Sequence, residues 1–296
     1  MILELKNINK SFGEKEVLKG VTFSAESGKA FGLLGRNGAG KTTTIRILMN
    51  VFPANEGEIL VDGKPIDHTK IGIGYLPEER GLYLKKTIID QLVYFAELKG
   101  MQKKDAINAV DFWLNRLGMT EYRNKRLDTL SKGNQQKIQL ITALAHDPEI
   151  VILDEPFSGL DPVNAMLLKD VVKEQIAKGK IVLFSSHQMS YIEEFCDSIA
   201  IINAGKIAIS GDLYEIKRNY LRNKLVVKTT KPELIQANLG DICTVCEDGA
   251  LLIQLSTPED KQDMMKHLVE NYDIDEVKVF EPSLNDIFVE YAGEQV

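Results

Sequence analysis

Nine consecutive residues, GRNGAGKTT from Gly35 to Thr43, carry the most direct chemistry in this 296-residue chain. They satisfy G-x-x-x-x-G-K-[ST], follow the short apolar run AFGLLG and open the helically spaced TTTIRILMN, which is the context the motif requires. Gly38 and Gly40 free the backbone to curl, so that successive N–H groups form a nest for phosphate oxygens. The helix that follows adds the positive end of its dipole. Lys41 is placed to reach the β- and γ-phosphates of a nucleotide, and the Thr42 hydroxyl to ligate Mg²⁺. Gly35, Arg36, Asn37, Ala39 and Thr43 complete the candidate binding loop. A ligand-free glycine turn would not need the strand, the Lys-Thr pair and the helix together.

A second constellation is IVILDEP at 150–156. Four apolar residues predict a buried strand, and Asp154 emerges at its C-terminal end, where α/β sheets hold their ligands. Asp154 is a candidate metal ligand. Glu155, one residue on, is suited to align or deprotonate a water that attacks the terminal phosphate.

These residues need a scaffold, and the pattern around them supplies one. Strand-like runs recur at GEILVDG, IGIGYLP, IVILDEP, IVLFSS and DSIAIIN, and helical spacing covers 87–99, 105–117, 134–145 and 162–177. Buried strands alternating with helices predict an α/β unit with a parallel sheet. The antiparallel-looking start, residues 2–23, is expected as an addition to that sheet. Phe112, Trp113, Leu117 and Met119 are expected in the core. From residue 219 the pattern changes to β-α-β-β-α-β, with Asp248-Gly249 as a hairpin turn and Ser283 as the N-cap of a last helix. That order predicts a ferredoxin-like α+β unit.

With its motifs in order from residue 12 to 187, the chain resembles the ATP-binding subunits of ABC transporters. LSKGNQQK at 130–137 resembles the family's signature, FSGLD at 157–161 the loop after the acidic pair, and SSH at 185–187 its switch histidine. YLPEER at 75–80 resembles the loop that contacts a membrane partner. The resemblance implies a P-loop ATPase fold with an antiparallel β subdomain, a parallel-sheet core and a helical subdomain. It implies ATP and Mg²⁺ as cofactors and ATP hydrolysis as the activity. It assigns Phe12 to stacking on adenine, Glu78 to the metal and the coupling loop, and His187 to sensing the γ-phosphate as a catalytic partner of Glu155. Ser131, Lys132, Gly133 and Asn134 would contact ATP bound to a second chain, in a homodimer or heterodimer. A separate transmembrane permease would be moved through residues 78–100, at the cytoplasmic face of the membrane.

Two motifs depart from the family pattern. Lys132-Gly133-Asn134 stands where Gly-Gly-Gln is usual, and Glu78 replaces a glutamine. Together with the acidic tail ending SLNDIFVEY, they resemble the sodium-efflux and drug-export (ABC-2 type) branch. The alternatives are a soluble ABC-type ATPase acting on ribosomes or DNA, and a regulatory nucleotide-binding module. One cassette and no heptad run weigh against the first; Glu155 and His187 weigh against the second.

Charge and composition set outer bounds. The chain carries −7, with an apolar fraction of 44% that fits a globular protein. Residues 219–296 hold 7 basic and 15 acidic residues, a net −8, and the rest of the chain +1. That step predicts two domains, 1–218 for ATP binding and 219–296 as an acidic unit, and disfavours nucleic acid as a partner. No apolar run reaches the roughly 18 residues of a membrane span, and the N-terminus shows no secretory pattern. Cys243 and Cys246 form a C-x-x-C on a strand, where residues three apart face opposite sides. With Cys196 they are expected as reduced thiols.

Overall fold

The computed structural model describes all residues except 80, 159, 187, 221, 222, 247 and 294–296. It divides into two compact units: Met1–Leu213 with the chain's end from Glu290, and Tyr214–Val289.

The first unit contains two sheets. β1 (Ile2–Phe12) and β2 (Lys15–Glu26) pair antiparallel from Ile2↔Glu26 to Phe12↔Lys15. After β3 (Ala30–Leu34) and α1 (Lys41–Leu48), β4 (Glu56–Val61) and β5 (Lys64–Pro65) complete this sheet in the order β2-β1-β4-β5. The antiparallel start is therefore a sheet of its own, not an extension of the parallel one. The reason lies in its alternation: Leu3, Leu5, Ile8, Leu18 and Val21 form one buried face. That face packs in a common core with Phe31, Leu33, Ile150, Ile152 and Ile202 of the second sheet.

The second sheet has the order β10-β9-β3-β8-β7-β6. It comprises β6 (Ile73–Leu76), β7 (Ile150–Asp154), β8 (Ile181–Ser185) and β9 (Ser198–Asn203), with β10 (Lys206–Asp212) antiparallel on the edge. β3, β7 and β8 are buried at every residue, as continuous apolar runs in a two-sided parallel sheet should be.

Helices α2 (Ile88–Leu98), α3 (Lys103–Arg116) and α4 (Lys132–Leu144) pack on one another. Thr87 caps α2 by accepting from the Asp90 amide. Trp113, Leu117 and Met119 are buried, but Phe112 is 58% exposed, contrary to the expectation of a common core stripe. Adjacent helix residues lie about 100° apart, so Phe112 cannot share the inward face of Trp113; it meets the indole edge-on instead. α5 (Pro162–Ala177) starts at Asp161, whose carboxylate accepts from the Val163 and Asn164 amides. α6 (Met189–Phe195) and α7 (Leu213–Asn219) follow β8 and β10.

The second unit opens within α7 and runs β11 (Lys224–Lys228), α8 (Pro232–Leu239), β12 (Cys243–Val245), β13 (Leu251–Gln254), α9 (Lys261–Asn271) and β14 (Glu276–Val279) into α10 (Leu284–Gly293), which it shares with the first unit from Glu290. Its order β12-β13-β11-β14, antiparallel throughout, is the ferredoxin-like arrangement. Gly249 sits at φ +80 in the hairpin turn, and Ser283 caps α10 through the Asp286 amide. Cys243 is buried in this unit's core.

Candidate active site

The loop between β3 and α1 curls back on its own lysine. Lys41 Nζ donates to the carbonyls of Gly35 at 2.7 Å and Arg36 at 3.3 Å. Gly40 stands at φ +119, and a Cβ there would lie 2.6 Å from Leu18 Cδ2. Only glycine satisfies both that conformation and that approach. Gly40 offers no side-chain cap to α1, and no acidic residue occupies the helix's first turn. The N-terminal N–H groups and the dipole are left for an anion.

This loop forms one wall of a cleft of about 740 Å³, a size typical of small-molecule sites. Of the candidates singled out from the sequence, Arg36, Asn37, Gly38, Gly40, Lys41, Thr42, Thr43, Phe12, Glu78, Asp154 and Glu155 all line it. Gly35 and Ala39 do not: Gly35 serves the cleft through its carbonyl, and Ala39 packs into the core. Phe12 is 49% exposed and meets Phe52 edge-on.

The acids occupy distinct surroundings. Asp154 is buried at the end of β7, which pushes its carboxyl above the usual range, while the Tyr75 hydroxyl donates to it at 3.3 Å. Burial lowers the Lys41 ammonium, and Glu155 and Asp154 oppose that shift. Glu155 has φ +49, a left-handed backbone that costs a non-glycine residue about 1–3 kcal/mol. Its amide donates to the Ser185 carbonyl, and its carboxylate accepts from the Ser186 hydroxyl at 3.0 Å, both groups buried. The surrounding structure thus holds Glu155 in a costly conformation. His187 lies outside the described residues.

Ser131, Lys132, Gly133 and Asn134 do not line this cleft. Ser131 caps α4 through the Asn134 amide, and Ser131 and Lys132 are exposed. A Cβ on Gly133 would lie 3.0 Å from Asn164 Nδ2, so the starts of α4 and α5 adjoin.

Sequence reasoning missed Tyr75, Lys15, Glu16, Val17, Lys19, Ala204 and Gly205 around the site. The one available signal was Ala204-Gly205 between two apolar runs. Gly205 takes φ +82, donates to the Ala39 carbonyl and accepts from the Lys19 amide, which pins that turn against the phosphate loop.

Comparison with known proteins supplies the family. Residues 18–158 match the ABC transporter model, and residues 211–292 match the C-terminal domain of DrrA1-3-like ATP-binding proteins. The chain is 42% identical over 294 residues to the uncharacterized ABC transporter ATP-binding protein YhaQ of Bacillus subtilis (strain 168), covering 99% of both chains. The chain belongs to the ABC transporter ATP-binding proteins. It is 36% identical over 214 residues to the linearmycin resistance ATP-binding protein LnrL of the same organism, covering 71% of this chain and 69% of LnrL. A solved ATP-binding subunit of an ABC transporter superposes with TM-score 0.69 at 30% identity, covering 74% of this chain and 93% of that one. This ABC subunit accordingly binds and hydrolyses ATP and serves a membrane transporter. Among the described residues no helix is long and apolar enough to cross a membrane.

Proposed function

We propose that ATP occupies the cleft with its phosphates on residues 35–43 and its base against Phe12. The observation that carries this is the convergence of Lys41, Thr42, Asp154, Glu155 and Glu78 on one cleft from three separate stretches of chain. Thr42, Asp154 and Glu78 would hold Mg²⁺, for which an all-oxygen donor set is suited. Among the described residues no group of three or more His, Cys, Asp or Glu side chains forms a cage. That fits an ion that relies on substrate phosphates and water for its remaining ligands. Bound there, it would neutralise phosphate charge. Glu155 aligns or deprotonates the attacking water, with His187 as its partner at the terminal phosphate.

Two chains close head to tail, so that Ser131, Lys132, Gly133 and Asn134 of one meet the ATP of the other. The exposure of Ser131 and Lys132, away from their own chain's cleft, supports this reading. Residues 1–218 form the nucleotide unit and 219–296 an acidic accessory unit. The permease docks on the helical region at 78–100, where exposed Tyr83 and Tyr94 line a groove with Lys86, Asp90 and Gln91. The complex sits at the cytoplasmic face of the membrane without nucleic acid. Likeness to a resistance protein, LnrL, supports export as its direction.

Native mass spectrometry of Glu155→Gln with ATP and Mg²⁺ tests the core of this reading. Two chains with two nucleotides are expected, and Lys41→Ala should abolish that species. A Glu155→Gln chain that hydrolyses ATP at the wild-type rate would remove Glu155 from its role.

A further inference from the structure

Gln139 lies on α4, is 5% exposed and has no place in the scheme above. Its single amide nitrogen carries two hydrogens. It donates to the Pro77 carbonyl at 3.2 Å and to the Glu79 carbonyl at 3.1 Å. Those carbonyls flank Glu78, which lines the ATP cleft. Three residues earlier on the same helix, hence on the same face, the Gln136 amide donates to the Pro156 carbonyl, directly after Glu155.

The helix is also seated on the strand that leads to Glu78. A Cβ added at Gly74 of β6 would lie 2.0 Å from the Ala143 carbonyl of α4. Strand and helix therefore meet backbone to backbone. Burying an amide costs its desolvation unless its donors are hydrogen-bonded. Here both donors are used on one short loop.

We propose that Gln139 is a positioning residue that clamps the Glu78 loop onto α4 and so sets the Glu78 carboxylate in the cleft. With Gln136 it makes α4 a two-point brace between the segments that carry Glu78 and Glu155. The functional half of this proposal rests on Glu78 acting toward metal-bound ATP, as proposed above.

The test uses the full chain, with Gln139→Met, which keeps bulk and removes both donors, and Gln139→Glu, which keeps shape and places a carboxylate against the carbonyls. In the nucleotide-free protein, cleavage by a Glu-specific protease after Glu78 and Glu79 should quicken about threefold or more, with cleavage elsewhere unchanged. An unchanged rate at those two bonds, or equal acceleration at every site, would overturn the clamp. The Mg²⁺ concentration that half-saturates ATP binding should rise about fivefold in Gln139→Met, and that rise should vanish in a Glu78→Gln background, the signature of coupled residues. A rise of the same size in both backgrounds would overturn the link to Glu78. ATP binding by the wild-type chain that ignores Mg²⁺ would instead overturn the metal reading, while the protease result still judges the clamp.

Discussion

Glu155 combines a strained backbone with a buried hydroxyl partner, so its carboxylate is oriented before any substrate arrives. Glu155→Gln keeps the shape and loses the proposed base, and turnover should fall about 10²–10⁴-fold with ATP affinity retained, as single-turnover and equilibrium binding would read. Glu78→Gln should keep ATP affinity within about tenfold, or about 1.4 kcal/mol, because the phosphate loop is untouched. Its effect on ATPase rate should be larger in the assembled transporter than in the isolated subunit. His146 also matters at this scale. His146 is half-buried, its Nε2 meets the Ile73 carbonyl at 3.3 Å, and burial lowers it from 6.5 to about 4. The folded state therefore binds fewer protons than the unfolded state between those values. Stability should be full above about pH 6.5 and decline as pH falls toward about 4, by up to about 3 kcal/mol. Denaturant midpoints across that window should show a slope that His146→Gln flattens.

At the scale of elements, contiguous features were readable and distant pairings were not. The phosphate loop and α1 are adjacent in sequence, and the pattern of glycines and apolar residues placed both. The helices at 88–98, 103–116, 132–144 and 162–177 announced themselves by spacing. β10 and α6 did not: β10 alternates exposed and half-buried residues with none buried, and α6 is seven residues long. Tyr75 meets Asp154 across 79 positions and Gln139 meets Pro77 across 62, separations that no local pattern encodes. α5 carries a defect of the same hidden kind. Gln175 is 1% exposed with neither amide atom partnered among the described residues, beside Leu144, Val151, Leu153 and Val182 around a void too small for water. Gln175→Leu removes an unpaid desolvation and should stabilise the fold by about 1–2 kcal/mol, raising the denaturant midpoint without changing its slope.

At the scale of the whole molecule, the chain divides at Leu213/Tyr214, and the assignment of the segment from Glu290 to the first unit had no sequence signal. The Asn203 side chain donates to the Tyr291 carbonyl at 3.0 Å. A 1–218 fragment should therefore still bind ATP by calorimetry, since every cleft residue precedes 206, yet melt at a lower temperature than the full chain. A well-folded fragment without ATP binding would tie the acidic unit to the site. Lys41 adds a consequence for how the whole subunit meets its ligand. An ammonium has three N–H donors; among the described residues the Gly35 and Arg36 carbonyls take two, which leaves one to offer outward. The proposed phosphate contact thus needs neither of these bonds to break. Arrival then needs no rebuilding of the cradle, and the first stopped-flow phase should be linear in ATP concentration, ahead of the slower closure of two chains, whose rate should depend on protein concentration.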